Sequence, residues 1–359
     1  MKIRDLLFIL IFFAPFSLFS SSPFLLRYYY PSGRNFFVEP VRSHPVSLEG
    51  KFIYTVGSSL YIVDPYGGKV KHFALPEPSS FSPLPLGEGK ILLVGDKGGV
   101  YSFSLTGTHV NRIGGIHDIP LSDPFRCGKG SFIFLQGRGG IYRIALFNGK
   151  TETIPFQKRN RLYWGNYLPA CYEDKIYSFA GNELLIINPE DFVVIKKTSI
   201  SSGHIEVTGK KYYGSPFPVL VEGNRIVVAT PSKTFFLKND VPLEIKDLKI
   251  SAASMVDGFI FLSGIDGTVY KFTPDGTISE KFRVSKSDNG LAPVVKVGED
   301  FYATGDDEFL IVFNEKGKIY RYYTTTGVYG RITLLSPFKF AFLSRSGSFY
   351  ILYFLKDRL

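Results

Sequence analysis

The side chains of this sequence that could do chemistry are few and widely spaced. The two cysteines, Cys127 and Cys171, cannot build a Cys-rich zinc site or a disulfide framework. The five histidines show none of the short spacings that bring two imidazoles to one metal ion; they are His44, His72, His109, His117 and His204. We therefore predict no metal site and no cofactor, and we interpret each histidine as a packed or solvated side chain.

Motifs for nucleophilic catalysis and phosphate binding are also missing from the sequence. No Gly-x-Ser-x-Gly turn leads into a helical pattern, and no glycine-rich phosphate loop occurs. The adjacent carboxylates Asp306 and Asp307 lie where the pattern predicts a hairpin turn, which favours a structural role. The sequence therefore predicts no catalytic residue, and we interpret the protein as a non-enzyme.

Two stretches of the chain combine basic and aromatic residues, the types enriched at the energetic centres of protein interfaces. They are 157–168 (QKRNRLYWGNYL) and 199–214 (SISSGHIEVTGKKYYG). We predict that they form one surface for a protein partner or a glycan, with the contact residues Arg159, Arg161, Tyr163, Trp164, Tyr167, His204, Lys210, Lys211 and Tyr212. The alternative is that both stretches only cover neighbouring strands.

One sequence pattern returns along the chain about every 40 residues. GDKGGVYSF at 95–103 recurs as GIDGTVYKF at 264–272, and looser copies stand at 57–63, 137–144, 181–187, 231–237, 305–313 and 344–352. Short alternating apolar runs between Gly, Asp and Asn turns are typical of antiparallel strands. Each unit is therefore predicted to form a four-stranded antiparallel sheet.

Four-stranded sheets of this kind must stack on one another, and radial stacking that closes on itself gives a β-propeller. We predict an all-β, eight-bladed β-propeller of four-stranded antiparallel blades over residues 34–356. Seven blades are the alternative if the weakest unit, 215–247, is irregular. The last unit lacks a fourth strand, and the spare strand at 34–41 (RNFFVEPV) is predicted to complete it and to close the ring.

The cysteines occupy equivalent places in adjacent repeat units. Each lies ten residues before the turn glycine of its unit, Gly137 or Gly181. Two buried free thiols are the favoured interpretation. A bridge between adjacent inner strands is the alternative, and an oxidising compartment would allow it.

The motif G-D-x-G-x-[VLI]-Y-x-[FIL], followed by Pro-Asp-Gly or Asp-Pro-x-Gly-Gly, resembles the PQQ-like repeat of β-propeller proteins. The best copies end at 273–276 (TPDG) and 63–68 (VDPYGG). The resemblance implies a propeller similar to that of the outer-membrane β-barrel assembly machinery. It also implies the runner-up function, a quinoprotein-type dehydrogenase, although the adjacent cysteine pair and the repeated docking Trp of those enzymes have no counterpart in this sequence.

Residues 1–22 are predicted to be a secretory signal peptide. Lys2 and Arg4 precede the apolar run 6–19 (LLFILIFFAPFSLF), and three serines follow it. An uncleaved membrane anchor is the alternative, although the run is short for a membrane span and contains Pro15. We expect a periplasmic or extracellular protein.

The chain is basic, with 42 Lys and Arg against 32 Asp and Glu and a formal net charge of +10. The basic residues are scattered, which argues against nucleic-acid binding and favours attraction to an acidic partner, an anionic lipid surface or a glycan. The expected function is a monomeric interaction scaffold of the bacterial cell envelope that binds an envelope or outer-membrane protein. The alternative is a quinone- or sugar-dependent enzyme, or a glycan-binding propeller, that uses the central funnel.

Overall fold

The computed structural model describes residues 23–355 except 31–42, 67, 157–168, 181–182, 200–203, 208–209, 214–219, 223–224, 230–233, 239–240, 247, 249, 274, 289, 325 and 329. Between 200 and 247 it describes strand backbones and not side chains. The regular elements of this part of the chain are all β-strands. Within the same residues, no helix has the length and apolar character that a bilayer crossing requires.

Seven of the described sheets have three or four strands that follow one another in the chain. The N-terminal strand that precedes them is β1 (Phe24–Tyr30). The first two sheets are β2 (Val46–Leu48), β3 (Lys51–Val63) and β4 (Val70–Ser79), then β5 (Leu84–Gly87), β6 (Lys90–Val94), β7 (Gly99–Ser104) and β8 (Asn111–Gly115). The next two are β9 (Phe132–Gln136), β10 (Gly140–Ala145) and β11 (Thr151–Pro155), then β12 (Ala170–Tyr172), β13 (Lys175–Ala180), β14 (Glu183–Asn188) and β15 (Val193–Ser199).

A separate hairpin comes next, and three further sheets of consecutive strands and then the last sheet follow it. The hairpin is β16 (His204–Val207) with β17 (Lys210–Tyr213). The three sheets are β18 (Leu220–Glu222), β19 (Arg225–Ala229), β20 (Thr234–Lys238) and β21 (Val241–Lys246), then β22 (Ile250–Val256), β23 (Phe259–Gly264), β24 (Thr268–Phe272) and β25 (Ile278–Arg283), then β26 (Val295–Val297), β27 (Phe301–Gly305), β28 (Phe309–Asn314) and β29 (Ile319–Tyr323). The last strands are β30 (Thr333–Ser336), β31 (Lys339–Leu343) and β32 (Phe349–Phe354).

The sheets are arranged around a central axis. Their first strands lie side by side, β2 with β5, β12 with β18, β18 with β22, and β22 with β26. Apolar side chains fill the space between neighbouring sheets, as where Ile53 and Leu60 of β3 pack against Ile91 and Leu93 of β6. The alternating apolar pattern of each strand therefore buries both faces of a sheet against its two neighbours, which is the packing of a β-propeller.

The closing sheet joins the two ends of the chain in the order β1-β32-β31-β30. The strand β1 pairs antiparallel with β32, with Phe24 opposite Phe354 and Tyr30 opposite Phe349. Phe349 and Ile351 of this sheet pack in one cluster with Phe52 and Tyr54 of β3, so the last sheet contacts the first. An N-terminal strand thus completes the last sheet and the ring.

The predicted eight-bladed β-propeller of four-stranded antiparallel blades, closed by residues 34–41, is wrong. The closing strand is Phe24–Tyr30, and residues 34–41 lie outside the described part of the chain. The sheet β9-β10-β11 has three strands. Its inner edge is reduced to two isolated bridges, Pro120 with Gly137 and Phe125 with Phe134, because a proline has no N–H to donate to a ladder.

The strand β3 has an unusual length of 13 residues because it folds back on itself. Gly57 has a φ of +58°, and the rings of Tyr54 and Tyr61 stack with centroids 5.1 Å apart. Residues seven positions apart in one extended strand would stand roughly 23 Å apart. The run therefore contains a tight reversal at Gly57, a position where glycine adopts a positive φ without steric strain.

The turn that the repeat predicted after β6 is present where the pattern placed it. Between β6 and β7 the chain reverses through Gly95–Gly99, and the N–H of Gly98 donates to the carbonyl of Gly95 at 2.9 Å. Gly98 has a φ of +89°, and a Cβ at this position would stand 2.5 Å from the carbonyl oxygen of Ile116. This glycine is therefore required both by backbone conformation and by the close approach of the next connection.

Candidate functional site

One end of the propeller gathers the connections between sheets and the turns between second and third strands, because antiparallel strands alternate in direction. Glu77 shows how the two are joined. One of its carboxylate oxygens accepts hydrogen bonds from the Gly99 N–H at 2.8 Å and the Tyr101 hydroxyl at 2.9 Å. The other accepts the Lys97 N–H at 2.8 Å. This carboxylate from β4 therefore caps the β6–β7 turn of the next sheet.

Carboxylates at two other turns act in the same way. Asp118, on the connection before the third sheet, accepts the Gly139 N–H at 2.6 Å and the Tyr142 hydroxyl at 2.9 Å. Asp306 is buried and accepts the Phe309 N–H at 2.7 Å and the Ser285 hydroxyl at 2.6 Å. These contacts agree with the structural role predicted for the carboxylates of the hairpin turns.

The candidate functional site, which we call the axial cluster, consists of His44, Ser82 and Asp123 with Arg331 beside them. His44, Ser82 and Arg331 each lie two residues before the first strand of their sheets, and Asp123 lies two residues before the Phe125 bridge. Because the first strands of the sheets surround the axis, the axial cluster lies at the end of the central channel where the connections between sheets arrive.

The axial cluster is held by short polar contacts across three sheets. The Ser82 hydroxyl lies 2.6 Å from Nδ1 of His44 and accepts the His44 backbone N–H at 2.9 Å. The Ser82 N–H donates to Oδ1 of Asp123 at 2.8 Å. Oδ2 of Asp123 lies 3.8 Å from Nδ1 of His44, and the two side chains are 16% and 22% exposed, respectively.

Burial disfavours the charged form of both titratable groups in the axial cluster. Burial, together with the smaller effect of the nearby Arg331, lowers the pKa of His44 to about 4. It also raises the pKa of Asp123 to about 6, against the opposing effect of the hydrogen bonds from Ser82. At neutral pH the axial cluster therefore contains a neutral imidazole and a carboxylate that has lost part of its hydration.

The geometry of the axial cluster differs from that of a catalytic triad. In a triad the carboxylate and the nucleophile contact opposite nitrogens of the imidazole, whereas Ser82 and Asp123 both approach Nδ1 of His44. The arrangement therefore links three successive sheets and leaves a polar rim at the channel end. The described residues contain no group of three or more side chains that could hold a metal ion.

The sequence analysis missed the axial cluster because its members come from three repeat units. A signal was present in the chain, since His44, Ser82 and Asp123 each directly precede a proline at the start of a repeat unit. When the repeat units are aligned on these prolines, the three residues occupy the same position of the repeat. A polar residue is unexpected at this position because it lies beside an inner strand.

The predicted binding residues fall in two connections between sheets. Arg159, Arg161, Tyr163, Trp164 and Tyr167 lie outside the described residues. The remaining four, His204, Lys210, Lys211 and Tyr212, belong to the hairpin β16–β17. In its backbone register His204 pairs with Tyr213, and Tyr212 pairs with Ile205. The second stretch is thus a two-stranded element inserted between the sheets β12–β15 and β18–β21.

The two cysteines form a disulfide bond, with Cα atoms 5.5 Å apart. The favoured interpretation of two free thiols is therefore wrong. Cys127 follows the bridged segment at the inner edge of the sheet β9–β11, and Cys171 is the middle residue of β12. The inner edges of adjacent sheets bring the equivalent positions together, which spacing along the chain could not establish.

A cleft of about 380 Å³ lies between β25 and the turn that joins β28 and β29. Glu315 lines this cleft. It accepts hydrogen bonds from the buried ammonium of Lys271 and, at 3.0 Å, from the Tyr302 hydroxyl. The Lys271 hydrogen bond lowers the pKa of Glu315. Nζ of Lys271 is 3.9 Å from Oε2 of Glu280. These charged side chains link two neighbouring sheets. We do not regard the cleft as the candidate functional site.

Comparison with known proteins supports the fold. No family model matches the chain, and no curated protein matches it. The chain is similar to the crystal structure of BamB from Moraxella catarrhalis, with a TM-score of 0.72 and 13% identity over 92% of this chain and 100% of that chain.

Two further solved structures share the architecture. The computationally designed Ika8 protein has a TM-score of 0.68 and 9% identity over 88% of this chain and 96% of its own. The WD40 domain of Neurospora crassa Pan2 has a TM-score of 0.53 and 14% identity over 75% of this chain and 86% of its own. Identities at this level establish a shared fold alone. The chain is a β-propeller that structurally resembles BamB and WD40 propellers.

Proposed function

We propose that the protein is an exported, non-enzymatic scaffold that binds a protein partner in the bacterial cell envelope, with outer-membrane protein assembly as its process. The observation that carries this proposal is the structural match to the whole length of BamB over 92% of this chain. The likeness is one of fold, and we use it as an analogy: a rigid propeller that presents loops suits a scaffold, although one fold can host many functions.

The disulfide supports the export part of the proposal. Cys127 and Cys171 form a bond that persists in oxidising compartments and is rare where thioredoxin and glutathione keep thiols reduced. The predicted signal peptide at 1–22 points to the same compartment. Together they favour the periplasm or the extracellular space over the cytoplasm.

The binding surface in this proposal consists of the connections 157–168 and 199–214, which contain the predicted basic and aromatic contacts. The strands β11 and β12 flank the first connection along the chain, and the hairpin β16–β17 lies within the second. Without residues 1–22, which contain Lys2, Arg4 and Asp5, 40 basic and 31 acidic residues remain. The resulting net charge of +9 would speed encounter with an acidic partner.

Site-specific crosslinking in envelope extracts tests this function. A photoreactive amino acid is placed at Tyr212 in the hairpin, and a matched control places it at Phe147, a 79% exposed aromatic in the turn between β10 and β11. We expect one defined crosslinked protein from Tyr212 and none from Phe147, and we expect Arg161→Ala and Trp164→Ala to reduce its yield. Equal labelling from both positions, or no effect of either substitution, would contradict the proposal.

A glycan- or small-ligand-binding propeller is the second candidate, favoured by the axial cluster. Arg331 is exposed beside the largely buried His44 and Asp123, so donors and acceptors meet at the channel end. This candidate predicts binding to a glycan array that Asp123→Asn abolishes and Trp164→Ala leaves unchanged. An array without signal, or one whose signal depends on Trp164 alone, counts against the axial cluster as the site.

A further inference from the structure

The disulfide attaches β12 to the sheet that precedes it, while on its other side β12 lies beside β18 as other first strands lie beside their neighbours. The strand β12 has three residues and pairs with β13 through Ala170, Cys171 and Tyr172. It is the first strand of its sheet, so its other edge faces the axis and has no partner strand in that sheet. Among the described residues, the link from β12 to the preceding sheet is the bond from Cys171 to Cys127.

The turn after β12 is strained in a way that the corresponding turns are not. Glu173 and Asp174 both have a positive φ, +46° and +52°. In the turns that follow three other first strands, the second such position is a glycine, as in Glu49-Gly50, Glu88-Gly89 and Asp257-Gly258. A non-glycine residue in this conformation is disfavoured. The β12–β13 hairpin is therefore less stable by itself than its counterparts.

Other first strands are attached to their neighbours by hydrogen bonds. The Ser251 hydroxyl of β22 donates to the Leu291 carbonyl at 2.8 Å, and the Val294 N–H donates to the Ser254 hydroxyl at 3.1 Å. Such bonds form without any redox chemistry. The corresponding attachment of β12 is a covalent bond that a reductant can break.

The two sulfur-bearing residues differ in their access to solvent. Cys171 is exposed, whereas Cys127 is buried at 6% exposure. An external thiolate would therefore reach the sulfur of Cys171 first, and Cys127 would be the leaving thiolate.

We propose that the Cys127–Cys171 bridge is a thiol–disulfide exchange site for a dithiol reductant and that its reduction releases β12. A reductant thiolate forms a mixed disulfide with Cys171 and expels the Cys127 thiolate. The second thiol of the reductant then attacks its own half of the mixed disulfide and expels Cys171. Two electrons and two protons pass from the dithiol to the cysteine pair, and the reductant becomes a disulfide.

Release is confined to β12 because the rest of the seam has its own attachments. The Arg143 guanidinium on β10 lies 4.6 Å from the Phe132 ring centroid and 5.0 Å from that of Phe192. It also donates to the Pro189 carbonyl of the next sheet at 3.0 Å. These contacts keep the sheets β9–β11 and β12–β15 together when the disulfide opens. The mobile unit is then β12 (Ala170–Tyr172).

Hydrogen exchange on the folded full-length chain tests the proposal, with dithiothreitol as the probe. Native reduction followed by differential alkylation should label both cysteines without denaturant. Amide exchange at Cys171 and Tyr172 should then become at least tenfold faster, while exchange across β22, which has no cysteine, stays the same. Equal exchange of β12 in the oxidised and reduced proteins, or reduction that needs denaturant, would overturn the proposal.

Two variants separate the release of β12 from general unfolding. The double variant Cys127→Ser with Cys171→Ser should show the fast β12 exchange and no response to dithiothreitol. Adding Asp174→Gly to it should slow β12 exchange about fivefold, because glycine relieves the positive φ of the turn. A double variant with native-like β12 exchange would overturn the proposal. The outcome does not depend on any partner, so it is independent of the proposed function.

Discussion

The hydroxyl of Thr333 donates a 2.7 Å hydrogen bond to the backbone carbonyl of Pro45, which lies 288 residues earlier in the chain. Thr333 is the first residue of β30 and Pro45 directly precedes β2, so this bond joins the inner strands of the last and first sheets. At the outer side, β1 pairs with β32. The ring is therefore closed twice, once by strand pairing at its rim and once by a side chain at its axis.

Thr333→Val should weaken the closing seam. Valine keeps the side-chain shape but leaves the carbonyl of Pro45 without its donor, so the free energy of unfolding should fall by about 1–2 kcal/mol. Urea denaturation provides the measurement. Thr153→Val, at an exposed position on β11, is the matched control and should change the free energy by less than about 0.5 kcal/mol. Equal effects of the two substitutions would show that the axial bond contributes nothing.

Tyr54→Phe should stabilise the protein, contrary to the usual effect of removing a polar group. Tyr54 is 1% exposed, and its hydroxyl has no hydrogen-bond partner. Burial raises its pKa above the ordinary range. Because the phenol loses hydration without gaining a partner, phenylalanine should raise the free energy of unfolding by up to about 1 kcal/mol. The control is Tyr302→Phe, which removes the 3.0 Å hydrogen bond to Glu315 and should lower the free energy of unfolding by about 1 kcal/mol. If both substitutions change the free energy of unfolding in the same direction, the prediction is wrong.

The native protein should lose stability as the pH rises and Asp123 ionises, and Asp123→Asn should remove that loss. The folded pKa of Asp123 is about 6, against an ordinary value of 3.8. A raised folded pKa means that the folded state binds more protons in this window, so stability falls between about pH 4 and 6. Asparagine abolishes that loss, worth up to about 3 kcal/mol. In urea denaturation at pH 4.5, 5.5 and 7.5, the free energy of unfolding of the variant should rise relative to that of the native protein as the pH rises. If the difference between the two proteins is the same at all three pH values, the prediction is wrong.

His44→Asn should have the opposite pH dependence. The folded pKa of His44 is about 4, against an ordinary value of 6.5. The unfolded chain then binds more protons, so His44 reduces stability as the pH falls from about 6.5 to 4. The variant should therefore lose less stability on acidification, by up to about 3 kcal/mol. His72→Asn, at an exposed position, serves as the control and should follow the native pH profile. If His44→Asn also follows the native pH profile, His44 does not cause the loss of stability on acidification.

Loss of the disulfide should destabilise the whole propeller. The bond closes a loop with a sequence separation of 44 residues, and the restriction of the unfolded chain by such a loop is worth about 2–4 kcal/mol. In urea denaturation without a reductant, the free energy of unfolding should fall by similar amounts in Cys127→Ser, Cys171→Ser and the double variant. Dithiothreitol should lower the free energy of unfolding of the native protein to the same value. A native protein whose unfolding midpoint is insensitive to the reductant would contradict this estimate of the bond's contribution.

The repeat and its turns were readable from the sequence because they depend on local backbone chemistry. Gly98 with its positive φ and the alternating apolar residues of β6 and β7 are features of single repeat units. Such features predict antiparallel sheets wherever they occur. The same local logic gave Asp306 a structural role, which its hydrogen bonds to the turn agree with.

The choice of closing strand depended on tertiary structure. The segments 24–30 (FLLRYYY) and 34–41 (RNFFVEPV) are both rich in apolar and aromatic residues, so composition favours neither. Pairing with β32 places Phe24 within 5.4 Å of Phe354 and Tyr28 within 6.0 Å of Phe349, between ring centroids. That fit involves residues more than 300 positions away along the chain, and no periodicity within a single repeat unit records it.

The sequence by itself therefore determined the all-β class, the repeat of about 40 residues and the turn chemistry, because each of these depends on neighbouring residues. Only the tertiary structure decided that Cys127 bonds to Cys171 and that His44, Ser82 and Asp123 meet at the axis. The physical reason is that a propeller brings one position of each repeat unit to its centre. Residues that appear isolated along the chain become neighbours there, and their chemistry arises from that proximity.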